Sequence, residues 1–207
     1  MDVVTAILAC SLYPTDDALV HAIAANAHMN PYFVYDPTPD TADGELPADP
    51  HSAAQALARA DEVTAKGAKP LLGLLEIPPA WLAGFGRDRR EAFDACVNVA
   101  IGTAWLAAFG TDCARGGHGL PRVRGPRDTR ACVLRRYADA IEMPDLVPVV
   151  TRELELRAKS PKPLAVIDSG LFPTAPSGPW GPNRIFAPVT SLLLPPEEPS
   201  KRGEARR

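Results

Sequence analysis

The uneven distribution of proline divides this chain of 207 residues into two parts. Ten of the 23 prolines fall in residues 159–207, where scattered apolar residues follow neither a helical nor a strand period. A segment of this composition buries too little apolar surface to offset the entropy lost on ordering it. We therefore expect residues 1–158 to fold as a domain and residues 159–207 to form a disordered Pro-rich tail or an extension that binds a partner protein.

The charges divide in the same way and exclude one class of partner. The tail carries a net charge of +3 and the rest of the chain a net charge of −6. A domain this acidic repels a phosphate backbone, so we expect no binding of nucleic acid. We also expect no transmembrane segment, because no apolar run reaches the roughly 18 residues that a membrane helix needs.

The sequence of the domain predicts a mainly helical fold. Apolar residues recur at helical spacing between capping or helix-breaking residues in five segments. These predicted helices span residues 16–28, 51–66, 94–110, 129–141 and 146–158. A short apolar run between prolines, residues 71–77, favours a small irregular or β element. Residues 30–50 and 111–130 are rich in Gly, Pro and polar residues and predict two long loops.

The common motifs of serine hydrolases, nucleotide-binding proteins and metal sites are absent from the sequence. The sequence has no Gly-x-Ser-x-Gly, phosphate-binding loop or dinucleotide fingerprint, and neither Cys-x-x-Cys nor a His spacing that suggests zinc. A group of acidic residues lacks the ligand spacing of a calcium loop and predicts a solvated loop instead. These residues are Asp36, Asp40, Asp43 and Glu45. We expect no metal and no cofactor.

Four short motifs carry most of the functional information. Cys-Ser-Leu-Tyr-Pro (10–14) precedes the first predicted helix and Asn30-Pro31-Tyr32 follows it, and further on come Gly-Leu-Leu-Glu-Ile (73–77) and Phe-Asp-Ala-Cys-Val-Asn (93–98). In this order they resemble the lysozyme-like lytic transglycosylases of type IV secretion and conjugation systems. The resemblance implies a mainly α, lysozyme-like α+β domain, with helices around a cleft for peptidoglycan glycan strands, in the periplasm.

The position of the family's catalytic acid is altered. Aligned on Asn30-Pro31-Tyr32, Asn26 stands where the resemblance places the glutamate that protonates the glycosidic oxygen. That glutamate then takes a proton from the 6-hydroxyl of the sugar, which gives an anhydro product. An Asn side chain has no titratable proton, so this mechanism cannot run through position 26.

Two other residues are candidates for the missing acid. Glu76 stands where the family has a glutamine that lines the cleft, and its apolar neighbours favour a raised pKa of its carboxyl. The alternative is that Glu76 faces solvent or caps a backbone group. His28 is the second candidate, because histidine titrates in the useful range; its alternative is a structural or exposed residue.

The same cleft has candidate substrate contacts. The resemblance implies that Asn30, Tyr32 and Tyr137 lie along it, with Tyr137 retained from the family's late Tyr-Asn-Thr-Gly motif. Trp81 is a candidate platform on which a sugar ring stacks.

The four cysteines bear on the compartment. The resemblance pairs Cys10 with Cys96, whereas Cys113 and Cys132 either pair or remain two separate thiols. A disulfide favours an oxidising compartment. The apolar residues 3–10, however, are too few for a signal peptide and follow Asp2 instead of Lys or Arg, so the sequence predicts a cytoplasmic location if Met1 is the true start.

Three functional hypotheses are compatible with these features. The first is a peptidoglycan-binding protein of a conjugation or type IV secretion system that has lost cleavage, and the second is an active transglycosylase with Glu76 as the acid. The third is a non-enzymatic adaptor that binds secretion-system proteins through its tail and through the arginines of the second loop, unless those arginines are simply solvated. They are Arg115, Arg122, Arg124, Arg127 and Arg130.

Overall fold

The computed structural model describes residues 2–11, 15–38, 48–116 and 125–159. The predicted tail lies outside the described residues, apart from Lys159. Two other predicted features lie partly outside them: Asp40, Asp43 and Glu45 of the acidic loop, and Arg122 and Arg124 of the arginine loop.

The described residues form seven α-helices, one 3-10 helix and a two-stranded sheet. In chain order they are α1 (Val3–Cys10), α2 (Asp17–Asn26), β1 (Val34–Tyr35), α3 (Ala53–Ala65), β2 (Leu71–Leu72), α4 (Pro79–Gly84), the 3-10 helix (Arg89–Phe93), α5 (Ala95–Arg115), α6 (Pro126–Ala140) and α7 (Leu146–Lys159). The two strands pair antiparallel, with Val34 opposite Leu72. The predicted mainly helical class is confirmed.

Several predicted boundaries differ from the structure for local reasons. Helix α5 continues through Gly110 and ends at Gly116, which adopts the left-handed backbone (φ 70°) of a helix C-cap. Helix α6 begins at Pro126 because proline is accepted in the first turn. Both helices therefore extend into residues 111–130, which the sequence predicted to be a loop, and β1 lies inside the other predicted loop.

Helix α1 is an element that the sequence analysis did not predict. The sequence shows only that its apolar residues are too few for a signal peptide, whereas in the structure Asp2 caps the helix by accepting a hydrogen bond from the Thr5 backbone N–H at 2.9 Å. Ala6 and Ile7 are buried in the core. The N-terminal residues are thus part of the packed domain.

Helix α5 lies at the centre of this packing. It contacts α1, α6 and the 3-10 helix, and its side chains Val99, Ile101 and Leu106 are buried. Among the described residues it is also the one helix long and apolar enough to cross a membrane. Length and composition do not separate such a helix from the core helix of a soluble protein, and here α5 packs against other helices.

Two disulfides attach neighbouring elements to α5. Cys10–Cys96 joins the end of α1 to the first turn of α5, and Cys113–Cys132 joins the last turn of α5 to α6. The pairing implied for Cys10 and Cys96 is confirmed, and the open question for the other two cysteines is answered in favour of a bridge. Such bridges are typical of an oxidising compartment.

We predict unequal contributions of the two disulfides to stability. Cys10–Cys96 spans 86 residues and Cys113–Cys132 spans 19, and a longer closed loop removes more entropy from the unfolded chain. Replacing both cysteines of a pair by serine should lower the free energy of unfolding by roughly 4 to 5 kcal/mol for the first and about 3 kcal/mol for the second. Urea denaturation of unreduced protein measures this. Four reactive thiols in denatured, unreduced wild-type protein would contradict it.

Candidate functional site

Glu76 lies at the end of a tight turn that follows β2. The turn is closed by two backbone hydrogen bonds of 3.0 Å between Leu72 and Ile77. Glu76 adopts a left-handed backbone with φ 51°, and its relative exposure is 0%. The interpretation of Glu76 as a residue that faces solvent is therefore wrong.

The Glu76 carboxyl contacts Asn26 at the end of α2. The Asn26 side-chain amide donates a hydrogen bond from Nδ2 to Glu76 Oε1 at 2.6 Å. The second oxygen, Oε2, is buried and has no hydrogen-bond partner among the described residues. The two positions that the sequence analysis linked to catalysis thus meet across 50 residues of chain.

Burial changes the acidity of this carboxyl. Desolvation raises the pKa of Glu76 to about 7, and the hydrogen bond from Asn26 and the charge of His28 partly oppose that rise in the pKa. A carboxyl that exchanges its proton near neutral pH has the acidity that general acid–base chemistry requires. Among the described residues, the hydrogen-bond partner of this carboxyl is the Asn26 side chain and not a backbone group.

A pocket of about 350 Å³ lies beside Asn26. Its lining includes two side-chain pairs from separate elements: His28 Nδ1 lies 2.5 Å from Asp49 Oδ2, and Arg59 lies 3.1 Å from Asp36. Tyr35 also lines the pocket. Asn26 forms part of this wall, whereas Glu76 is not among the lining residues.

Backbone strain is concentrated around this site. Among the described residues, four that are not glycine have a positive φ, and His28, Met29 and Glu76 are three of them. The turn formed by His28 and Met29 ends α2 at Asn26, so the helix stops before the predicted His28. Strained residues persist where the surrounding structure holds them, and they cluster at functional sites.

The structure gives His28 both a partner and an exposed ring. Its side chain is 65% exposed while it pairs with Asp49, and its ring meets Phe33 edge-on at a centroid distance of 5.5 Å. Nothing in the sequence pattern links it to Asp49, because 21 residues separate the two.

Asn30 fixes the backbone beside the pocket. Its Oδ1 accepts a hydrogen bond from the Tyr32 backbone N–H at 2.9 Å, and its Nδ2 donates one to the Pro50 carbonyl at 2.9 Å. Both ends of the Asn30 amide are therefore engaged by backbone. Tyr32 is half-buried and is not among the residues that line the pocket.

Two of the predicted substrate contacts lie in the core instead. Trp81 is 8% exposed and stacks on Trp105 at a centroid distance of 4.6 Å, with Tyr137 edge-on at 5.5 Å. Tyr137 is fully buried, and its hydroxyl donates a hydrogen bond to the Leu75 carbonyl. In this structure neither ring presents a face to a ligand, because other aromatic rings cover them.

The structure describes three of the five arginines that suggested an adaptor, Arg115, Arg127 and Arg130. Arg130 is bound to Asp16 at the start of α2, whereas Arg115 and Arg127 are exposed. A cavity of about 960 Å³ between α2, α5 and α6 lies beside Arg115 and Arg130. In the described part of the chain, no group of three or more His, Cys, Asp or Glu residues is placed to hold a metal ion.

Three comparisons with known proteins identify no relative of this chain. The chain matches no family model, no curated protein and no solved structure.

We predict that the buried Glu76 carboxyl makes stability fall as pH rises. The folded state keeps the Glu76 proton up to a pKa of about 7, whereas an unfolded chain releases it near its ordinary pKa of 4.5. The folded state therefore binds more protons between these values, and the free energy of unfolding of wild type should fall there by roughly 3 kcal/mol relative to Glu76→Gln.

Urea denaturation from pH 4 to pH 8 measures this difference. Above pH 7 the difference in the free energy of unfolding should level off, because Glu76 is then deprotonated in both states. Glu155→Gln on the exposed side of α7 is the control and should follow wild type. Parallel curves for wild type and Glu76→Gln would contradict a raised pKa at this carboxyl.

Proposed function

We propose that this chain is a lytic-transglycosylase-like protein that binds peptidoglycan glycan strands and cleaves them poorly or not at all. The observation that carries the proposal is the hydrogen bond between Asn26 and Glu76 beside a pocket. By the resemblance, these are the positions of a catalytic glutamate and a cleft glutamine. Here the carboxyl and the amide have exchanged places.

The lining of the pocket supports a carbohydrate ligand. Its volume of about 350 Å³ falls within the range of small-molecule sites. The ring of Tyr35 offers apolar surface for a sugar face. The side chains of His28, Asp49 and Arg59 supply hydrogen-bonding groups for hydroxyls.

The exchange explains why cleavage is expected to be weak. Asn26 lines the pocket but carries no titratable proton, and Glu76 carries the proton but has no exposed surface. A general acid must come within hydrogen-bond distance of the atom that it protonates. The residue that meets the ligand and the residue that holds the proton are therefore different residues.

A second candidate is an active enzyme with Glu76 as the acid. The specific observation in its favour is the combination of a pKa near 7 with an oxygen, Oε2, that is left without a partner among the described residues. In this case the Asn26 side chain has to rotate away when substrate binds. Catalytic hydrogen bonds often form fully only when substrate is bound, so the acid does not have to reach the pocket in the free protein.

The proposal also places the protein in the periplasm, as part of a conjugation or type IV secretion system. The support is the resemblance together with the two disulfides, which favour an oxidising compartment.

We predict that wild-type protein binds purified sacculi and releases few or no muropeptides. The double variant Asn26→Glu/Glu76→Gln returns the carboxyl to the pocket wall while keeping a carboxyl–amide pair, so it should bind similarly and release anhydro-muropeptides. Co-sedimentation measures binding, and mass spectrometry of the soluble fraction measures cleavage. The single variant Glu76→Gln and the surface variant Glu155→Gln are the controls.

The outcomes separate the candidates. Anhydro products from wild type that vanish with Glu76→Gln would establish the active enzyme. No binding of sacculi by wild type, with no products from any variant, would overturn the proposal and leave the adaptor hypothesis.

A further inference from the structure

Asn98 links α5 to the turn that carries Glu76. This buried side chain accepts a hydrogen bond from the Leu75 backbone N–H at 2.8 Å, and it donates two, to the Leu72 carbonyl at 2.8 Å and the Ala92 carbonyl at 3.0 Å. One amide therefore holds both sides of the turn and the 3-10 helix beside it. None of its hydrogen bonds reaches the pocket.

Tyr137 holds the same turn from the other side. Its hydroxyl, on α6, donates to the Leu75 carbonyl. Both backbone groups of Leu75 are thus bound by side chains, one from α5 and one from α6. Burial raises the pKa of Tyr137 well above its ordinary value, which keeps the hydroxyl protonated as a donor.

The Leu75 side chain is fixed as well. A Cβ at Gly102 would lie 2.5 Å from Leu75 Cδ1 and 2.9 Å from Leu75 Cβ. A Cβ atom does not fit at these distances. Because Gly102 has no side chain, Leu75 packs directly against the backbone of α5. Leu75 is therefore held at its N–H, its carbonyl and its side chain.

This restraint acts directly before the strained residue. Glu76 has a φ of 51°, a conformation that is unfavourable for residues with a Cβ and persists only when the surroundings hold it. Glu76 also has a buried carboxyl that gains by moving toward water. The positive φ and the burial of the carboxyl both disfavour the observed geometry of the turn.

We propose that Asn98 and Tyr137 are positioning residues that hold Leu75 on both sides and thereby keep the Glu76 carboxyl against Asn26. This positioning role rests on the proposed function, because it concerns the same site, and it gives Tyr137 a role other than contact with glycan. It depends on the site geometry and not on whether glycan is cleaved. A phenylalanine at position 137 fills the same space, so the effect of removing the hydroxyl is confined to Leu75 and the adjoining Glu76.

The test is a titration of the Glu76 side-chain carbonyl by carbon-13 NMR in full-length protein, with the Asn26 side-chain amide followed in the same samples. In Tyr137→Phe the carboxyl should relax toward solvent. Its midpoint should therefore fall by about half a pH unit or more from that of wild type, and the Asn26 amide signal should shift. Thr103→Val is the matched control: its hydroxyl is buried on α5 and donates to the Val99 carbonyl at 2.7 Å within the helix, so both signals should stay as in wild type.

A Tyr137→Phe protein that loses stability but keeps the wild-type midpoint and Asn26 signal would overturn the proposal. Should Tyr137→Phe fail to fold, Asn98→Ala removes the other restraint on Leu75, and an unchanged midpoint and Asn26 signal there overturn the proposal equally. Co-sedimentation of wild type with sacculi is measured separately. If wild type does not co-sediment with sacculi, the proposed function is overturned. The titration would still show whether Asn98 and Tyr137 position the Glu76 carboxyl.

Discussion

The burial of the Glu76 carboxyl is the feature on which the surrounding structure depends. Removing this group from water is unfavourable, so the neighbouring elements have to hold it in place. Glu76 has one oxygen bound to Asn26 and one without a partner among the described residues. Such a group gains by moving toward solvent unless its backbone is restrained. The hydrogen bonds of Leu75 with Asn98 and Tyr137 provide that restraint from two helices. The position of the carboxyl therefore depends on side chains outside the pocket.

Helix α5 provides most of the connections that this arrangement requires. Along its length, Cys96 attaches α1, Asn98 binds the turn after β2, Gly102 accepts Leu75, and Cys113 attaches α6. The two cysteines face α1 and α6, whereas Asn98 and Gly102 both face the turn after β2, which is why a helix with such an apolar sequence carries a buried polar and a small residue at these two positions. Asn98 and Gly102 thus connect α5 directly to the turn that carries Glu76.

Local patterns in the sequence were sufficient for the helices but not for the site. The apolar spacing from Leu19 to Ile23 predicts α2. The predicted end of α5 at Gly110 is wrong because Cys113 beyond it is buried and bonded to Cys132 on α6, so the helix continues to Gly116. The prediction that Trp81 and Tyr137 contact the ligand is wrong because a sequence does not show which aromatic rings cover one another. The pairing of His28 with Asp49 depends on two chain segments that fold back on each other, and no local pattern contains that information.

The proposed site depends on the hydrogen bond between Asn26 and Glu76, and a double-mutant cycle measures the interaction of these two residues. The cycle uses Asn26→Ala, Glu76→Leu and the double variant, with the free energy of unfolding determined at pH 5 and pH 8. We expect a favourable coupling energy of about 1 to 3 kcal/mol at pH 8, where the hydrogen bond has a charged acceptor, and a smaller value at pH 5. Additive effects of the two substitutions at both pH values would contradict the pairing.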